Sequence, residues 1–349
     1  MNQTRWLLCL SVALLMQINT GAQGPAGIIS RESDERAISA GDRQSALTAL
    51  LNEADRLRAA QQPSAAARLL TRAGYLQLKL AQPAEALRTF NDALRLVTDT
   101  ADIINQTDTL NGIGAVYTSK TKCPEAKTAL TRALSLSDQD HYLKGRAQAL
   151  LTLSECQDYD NHTVALATAN ESLAIWTQIN HQWGIAKTNA AIGIYLFSLN
   201  QLTEATVHFE TALHIWRALA LTDEQADLLI SLSFIEYRKG AWQNNISDLT
   251  EARTLIDEQS EPYKLGQINA NLGETYIASG LPEAALPSLD LGLQYFERAQ
   301  NPRAVSAVIW VKGKALLLLN DLPHALEQFN AALAGFAARK EGIGMAICH

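Results

Sequence analysis

At 349 residues, with 47% apolar side chains and no long polar low-complexity run, the chain is long enough for two ordinary domains or one repeat array. A formal net charge of -7, with no Lys/Arg cluster reversing it locally, leaves no basic footprint for a phosphate backbone. Nucleic acid is therefore excluded as an expected partner.

Residues 1–22 read as a signal peptide. Arg5 precedes the apolar run "LLCLSVALLM", and Thr20 and Ala22 sit at small-residue positions before a cut. Such a run is too short to cross a bilayer, so no membrane span is expected in a mature chain starting near Gln23. Cys9 lies inside the run, against a lipid-modified cysteine. The protein is thus expected to be exported, periplasmic or secreted. Residues 23–41 form a poorly specified leader. Leu47, Leu50, Leu51, Ala54 and Leu57 then predict one packed helix over 43–60.

From residue 67 to 340 one pattern returns seven times. Gly74, Gly114, Ser154, Gly193, Ser233, Gly273 and Gly313 recur every 39 or 40 residues. In each unit an apolar face at helical spacing is followed by a short break and a second such face. Pro83, Pro124, Pro282 and Pro323 stand in the breaks, where a helix's first turn needs no N–H donor. Each unit is a predicted helical hairpin. A second small column, Ala93, Ala133, Ser172, Ala212, Ala252, Gly292 and Ala332, lies on the other helix, so the two axes are expected to cross closely at small residues. Trp176, Trp216, Ile256, Phe296 and Phe336 supply large apolar side chains for stacking and read as core.

One hairpin cannot bury both its apolar faces, so the units must stack. The expected fold is all-α, a right-handed α-solenoid of stacked helical hairpins over 42–349, with a truncated repeat after the seventh. The fifth unit breaks the pattern with Ser233, Asn245, Arg253 in a leucine column and no proline in its turn. It is either a loosened joint or a unit in a shifted register. Its Trp242 is expected to lie over its own hairpin, with a partner contact as the other reading. Cys123 and Cys156 fall near turns of consecutive units. A bridge is conceivable, but two half-buried thiols are the preferred reading.

"L-x-x-I-G-x-x-Y" from Leu110 to Tyr117, with Ala86/Phe90, Ala205/Phe209 and Ala325/Phe329 following the form A-x-x-x-F, resembles the tetratricopeptide repeat lengthened to 40 residues. The spacing, the export signal and turns such as "INHQWGIA" and "KEGIGMA" further resemble bacterial repeat proteins carrying a C-terminal CHAT domain, a caspase-like cysteine peptidase module. That resemblance implies a recognition or regulatory arm, with a peptidase domain beyond residue 349 as its partner.

No catalytic motif, phosphate loop or metal-ligand spacing is present in the sequence, so no catalytic residue, metal or cofactor is expected. What remains is surface. The first helix of each hairpin is expected to line an inner groove suited to a protein or peptide ligand. Counting a third of a turn from the glycine face gives Phe197, Phe234, Tyr237, Ile277, Trp310 and Leu317, edged by Lys187, Arg238, Asn271 and Lys314. The repeat resemblance implies that Asn271 bonds the backbone of a bound peptide. Asn111, Thr118, Glu155 and Asp158 make the inner face of the first three units more polar. The first expectation is an exported peptide- or protein-binding scaffold without activity of its own. The second is the sensor arm of a CHAT-type peptidase, and a third is an envelope assembly adaptor.

Overall fold

The computed structural model describes residues 43–259 and 261–339. The expected signal peptide, the leader, the truncated last repeat and Cys348 lie outside the described residues. These residues form fifteen helices and no strand: α1 Arg43–Ala59, α2 Pro63–Lys79, α3 Pro83–Val97, α4 Ile103–Ser119, α5 Cys123–Gln139, α6 Leu143–Gln157, α7 His162–Gln178, α8 Gln182–Ser198, α9 Leu202–Ala218, α10 Thr222–Lys239, α11 Trp242–Thr254, α12 Pro262–Ala278, α13 Pro282–Arg298, α14 Pro302–Leu318 and α15 Leu322–Ala338. From α2 onward they pair into seven hairpins, α2/α3 to α14/α15. The chain divides into two units, 43–221 with α1–α9 and 222–339 with α10–α15. Within each, a first helix packs on its own second helix, and that second helix packs on the next first helix.

Most links are three residues long, and their chemistry repeats. Ala81, Thr121, Asn200 and Ala220, among others, adopt the left-handed conformation just past a helix end, as do Gly240 and Gly280. At a non-glycine residue this costs about 1–2 kcal/mol. The cost is offset because the next amide closes a wide turn onto the finished helix. Gln82 N–H donates to the Gln77 carbonyl at 2.8 Å, and Gln82's own carbonyl accepts the Ala86 N–H at 3.0 Å. One residue thus ends a helix and opens the next, satisfying backbone groups that helix termini otherwise leave bare. Prolines at the first turns of α2, α3, α5, α12, α13, α14 and α15 remove N–H groups that would have had no partner there.

The two small-residue columns do different work. A Cβ on Gly74 would fall 2.7 Å from the Phe90 ring, on Gly114 2.5 Å from Leu130, on Gly193 2.5 Å from Phe209 and on Gly313 2.7 Å from Phe329; Gly273 faces Leu289 in the same way. Each partner lies on the second helix of the same hairpin. The first column is therefore a socket for a large side chain. Close backbone approach belongs to the second column: a Cβ on Gly292 would meet the Ala270 nitrogen at 3.2 Å and the Gly266 carbonyl oxygen at 3.3 Å. Ser172 sits at the same column position and donates its hydroxyl to the Ala147 carbonyl at 2.7 Å. Trp176, Trp216, Phe296 and Phe336 are buried as expected, and Ile256, just past the end of α11, is half-buried.

The fifth hairpin, α10/α11, has a short second helix of 13 residues. Asn245 is buried, and its amide donates to the Ser233 carbonyl at 2.5 Å while its oxygen accepts from the Thr275 hydroxyl at 2.6 Å. The departure is a polar tie to the next hairpin. Trp242 lies edge-on to Tyr237 of its own hairpin, ring centroids 5.2 Å apart.

The preferred reading of Cys123 and Cys156 as separate thiols is overturned. They form a disulfide with Cα atoms 5.6 Å apart. It joins the first residue of α5 to the end of α6, because the antiparallel return of the chain brings those ends together. The bridge leaves Cys156 no free thiol, and the nearby His162 ring nitrogen pairs with Asp158 at 2.7 Å.

Candidate binding surfaces on the first helices

Buried polarity is unevenly placed. Of the 26 buried polar side chains among the described residues, 22 lie on first helices and 4, Thr89, Ser137, Ser172 and Asn245, on second helices. The second helices bury mainly alanine and large apolar groups, as a packing rod should. The first helices carry the hydrogen-bonding groups, and several lack a partner within the chain: the Gln77, Asn111 and Gln148 side-chain oxygens, the Gln267 Nε2 and the Asn271 Nδ2. Leaving such an atom unsatisfied costs about 1–3 kcal/mol, so each calls for a partner from outside the chain, water or a bound segment.

In unit 43–221 the first helices α2 and α4, with Tyr142 ahead of α6, enclose a cleft of about 180 Å³ lined by Arg68, Thr71, Arg72, Tyr75, Ile104, Asn105, Asp108 and Tyr142. Arg68, Arg72 and Tyr75 share one face of α2 at helical spacing. The Tyr142 hydroxyl donates to both Asp108 carboxylate oxygens, at 3.1 and 3.2 Å, and the Tyr75 hydroxyl donates to the Asp108 carbonyl at 3.3 Å. Burial pushes the Asp108 carboxyl up to about 6, against the pull of Lys144, the Tyr142 hydrogen bond and Arg68. Burial also raises both phenols, so Tyr75 and Tyr142 stay protonated donors. Asn105 is fixed by donating to the Ser64 carbonyl at 3.1 Å and to Asp102 at 2.6 Å. Thr71 and Thr109 share a hydroxyl hydrogen bond of 2.8 Å that ties α2 to α4.

The sequence reading placed the polar inner face of this unit elsewhere. Asn111 and Thr118 are buried, the first donating to the Gly145 carbonyl at 3.0 Å and the second to the Gly114 carbonyl at 3.0 Å. Glu155 has its carboxyl raised by burial, with Lys187 opposing. Phe197, half-buried near the end of α8, and Lys187, half-buried earlier on the same helix, are the expected groove and edge residues in this unit.

In unit 222–339 the other eight fall into two environments. Ile277 and Trp310 are 7% and 6% exposed and belong to the core shared by α12–α15. Asn271 is 7% exposed on α12. Phe234 and Tyr237 are half-buried on α10, Arg238 is exposed beside them, and Leu317 is 49% exposed at the end of α14. Lys314 lies over the Trp310 ring, Nζ 4.7 Å from its centroid. Burial lowers the Lys314 ammonium, while Glu274 on α12 pulls the other way. Asn271, Glu274, Trp310 and Lys314 thus form a polar and aromatic cluster across consecutive first helices. Glu274 lies on the face of α12 that the helix count gives for the groove, between Ala270 and Ile277.

No family model matches the chain, and no curated protein matches it. Solved structures do. A Rap protein complexed with competence and sporulation factor is 17% identical, with a TM-score of 0.56 over 79% of this chain and 76% of that one. The apo form of the quorum sensor NprR from B. thuringiensis is 10% identical, with a TM-score of 0.54 over 88% of this chain and 97% of that one. A signal transduction ATPase with a tetratricopeptide repeat sensor, from Pyrococcus horikoshii, is 12% identical, with a TM-score of 0.63 over 80% of this chain and 44% of that one. At such identities the likeness carries architecture alone, and the architecture is a tetratricopeptide-like array of helical hairpins.

Proposed function

We propose that this chain is an exported scaffold that binds protein or peptide segments along the first helices of its hairpins and has no catalytic activity of its own. The observation that carries the reading is the concentration of buried, partly unsatisfied polar groups on first helices, away from the alanine-rich second helices. A peptide backbone offers the alternating donors and acceptors such groups lack. The similar Rap structure is a complex with competence and sporulation factor and the similar NprR is a quorum sensor, which supports a signal-binding role. The Cys123–Cys156 bridge supports placement outside the reducing cytoplasm. The CHAT-linked alternative rests on the sequence resemblance.

Random-peptide phage display on the immobilised chain tests the reading. Sequences enriched on the wild type are expected to fall about tenfold in enrichment on Lys314→Glu or Tyr237→Glu protein. Absence of any enriched sequence on the folded wild type would reject the proposal.

A further inference from the structure

The cleft between α2 and α4 differs from the α12/α14 cluster in being small and in carrying both signs of charge. A volume of about 180 Å³ is roomy for water, which needs roughly 10–15 Å³, yet below the roughly 300–1,000 Å³ of pockets for drug-sized ligands. That is the scale of a single amino acid. Arg68 and Arg72 line the α2 side with guanidinium donors suited to a carboxylate. The Asp108 carboxylate lines the α4 side. It has about four lone-pair sites, and the single Tyr142 proton it accepts leaves acceptor capacity for an ammonium. Two phenols and the Ile104 side chain, 46% exposed at the rim, supply surface for an apolar side chain.

We infer that this cleft binds a free zwitterionic amino acid, its carboxylate on Arg68 and Arg72 and its ammonium on Asp108. An internal peptide segment carries neither terminal charge and would leave one wall unmatched. The site is therefore distinct in ligand class from the peptide surface proposed above, and it stands without it.

The charged and titratable groups facing Asp108 are Arg68, Arg72 and Tyr75 from α2, Asp102 at the start of α4, and Tyr142 and Lys144 at the start of α6. With the Asp108 carboxyl near 6, an ammonium ligand needs the ionised form, and binding weakens on acidification.

The test uses the full chain. Each common free L-amino acid at about 10 mM is screened by thermal shift, and the best is titrated calorimetrically. At least one is expected to raise the melting midpoint. Its N-acetyl and carboxamide derivatives, each lacking one charge, are expected to bind at least about tenfold more weakly, as is the amino acid itself to Asp108→Asn and to Arg68→Gln. Between pH 7.5 and 5.5 the wild-type affinity should fall about fourfold, the ratio expected for a carboxyl titrating near 6, while Asp108→Asn is flat over that range. Arg68 is exposed, so its substitution keeps the variant test independent of folding at Asp108. The inference is overturned if no amino acid shifts the midpoint, if either derivative binds as tightly as the parent, or if Arg68→Gln keeps full affinity.

Discussion

The fifth and sixth hairpins, α10/α11 and α12/α13, share one topology and are held together by different physics. In α12/α13 the fit is steric: Gly273 takes Leu289, Gly266 takes Phe296, and Gly292 brings α13 onto the backbone of α12. In α10/α11 the corresponding sites are Ser233, Ile256 and Ala252, and the second helix ends early. Asn245 compensates by bonding the backbone of its own hairpin and the Thr275 hydroxyl of the next. A repeat can thus lose shape complementarity and keep its place, provided that it gains a directional bond across the joint.

Substitutions can break each half of this contrast, read by hydrogen exchange of the amides in α10–α13, since repeat units open locally. The largest effect is expected at Gly292→Val. The added branches meet backbone that cannot rotate away, and α12/α13 should lose about 3 kcal/mol of protection. Next comes Asn245→Ala, which removes two buried hydrogen bonds, one to the Ser233 carbonyl and one from the Thr275 hydroxyl. A loss of about 2 kcal/mol is expected, felt in both α10 and α12. Equal protection in α12 before and after that change would mean that the tie is idle. Thr275→Val removes the cross-hairpin bond together with the hydroxyl's bond to the Asn271 carbonyl of its own helix, and should cost about 1 kcal/mol. The smallest effect, about 0.5 kcal/mol of destabilisation, is expected for Ser233→Gly. Restoring the column's glycine there adds helix entropy cost and removes the Ser233 hydroxyl's bond to the Ile230 carbonyl.

Much of this organisation could be read in the residues. The 40-residue recurrence of Gly74, Gly114, Gly193, Gly273 and Gly313 gave the hairpins and their count because packing constraints repeat in phase with the chain. The groove was harder to read. A first helix touches its own partner, the preceding second helix and the neighbouring first helix, so its packed arc is wider than one glycine face. Ile277 and Trp310, placed a third of a turn away, therefore still fall in the core. The cleft escaped for another reason. Arg72, Asp108 and Tyr142 stand 36 and 34 residues apart, out of phase with the repeat, so aligning the units does not bring them into one column. Asn245 looked like a defect because its merit lies in Thr275, a residue of the following unit.

The links between helices also set where the chain tolerates added length. A connection in which a single residue both seals one rod and starts the next has no spare position, and an insertion there would unseat two capping systems at once. Between Thr254 and Pro262 seven positions intervene. A tag, a reporter or an entire folded passenger is best spliced at that stretch, with the rods on either side keeping their own closures.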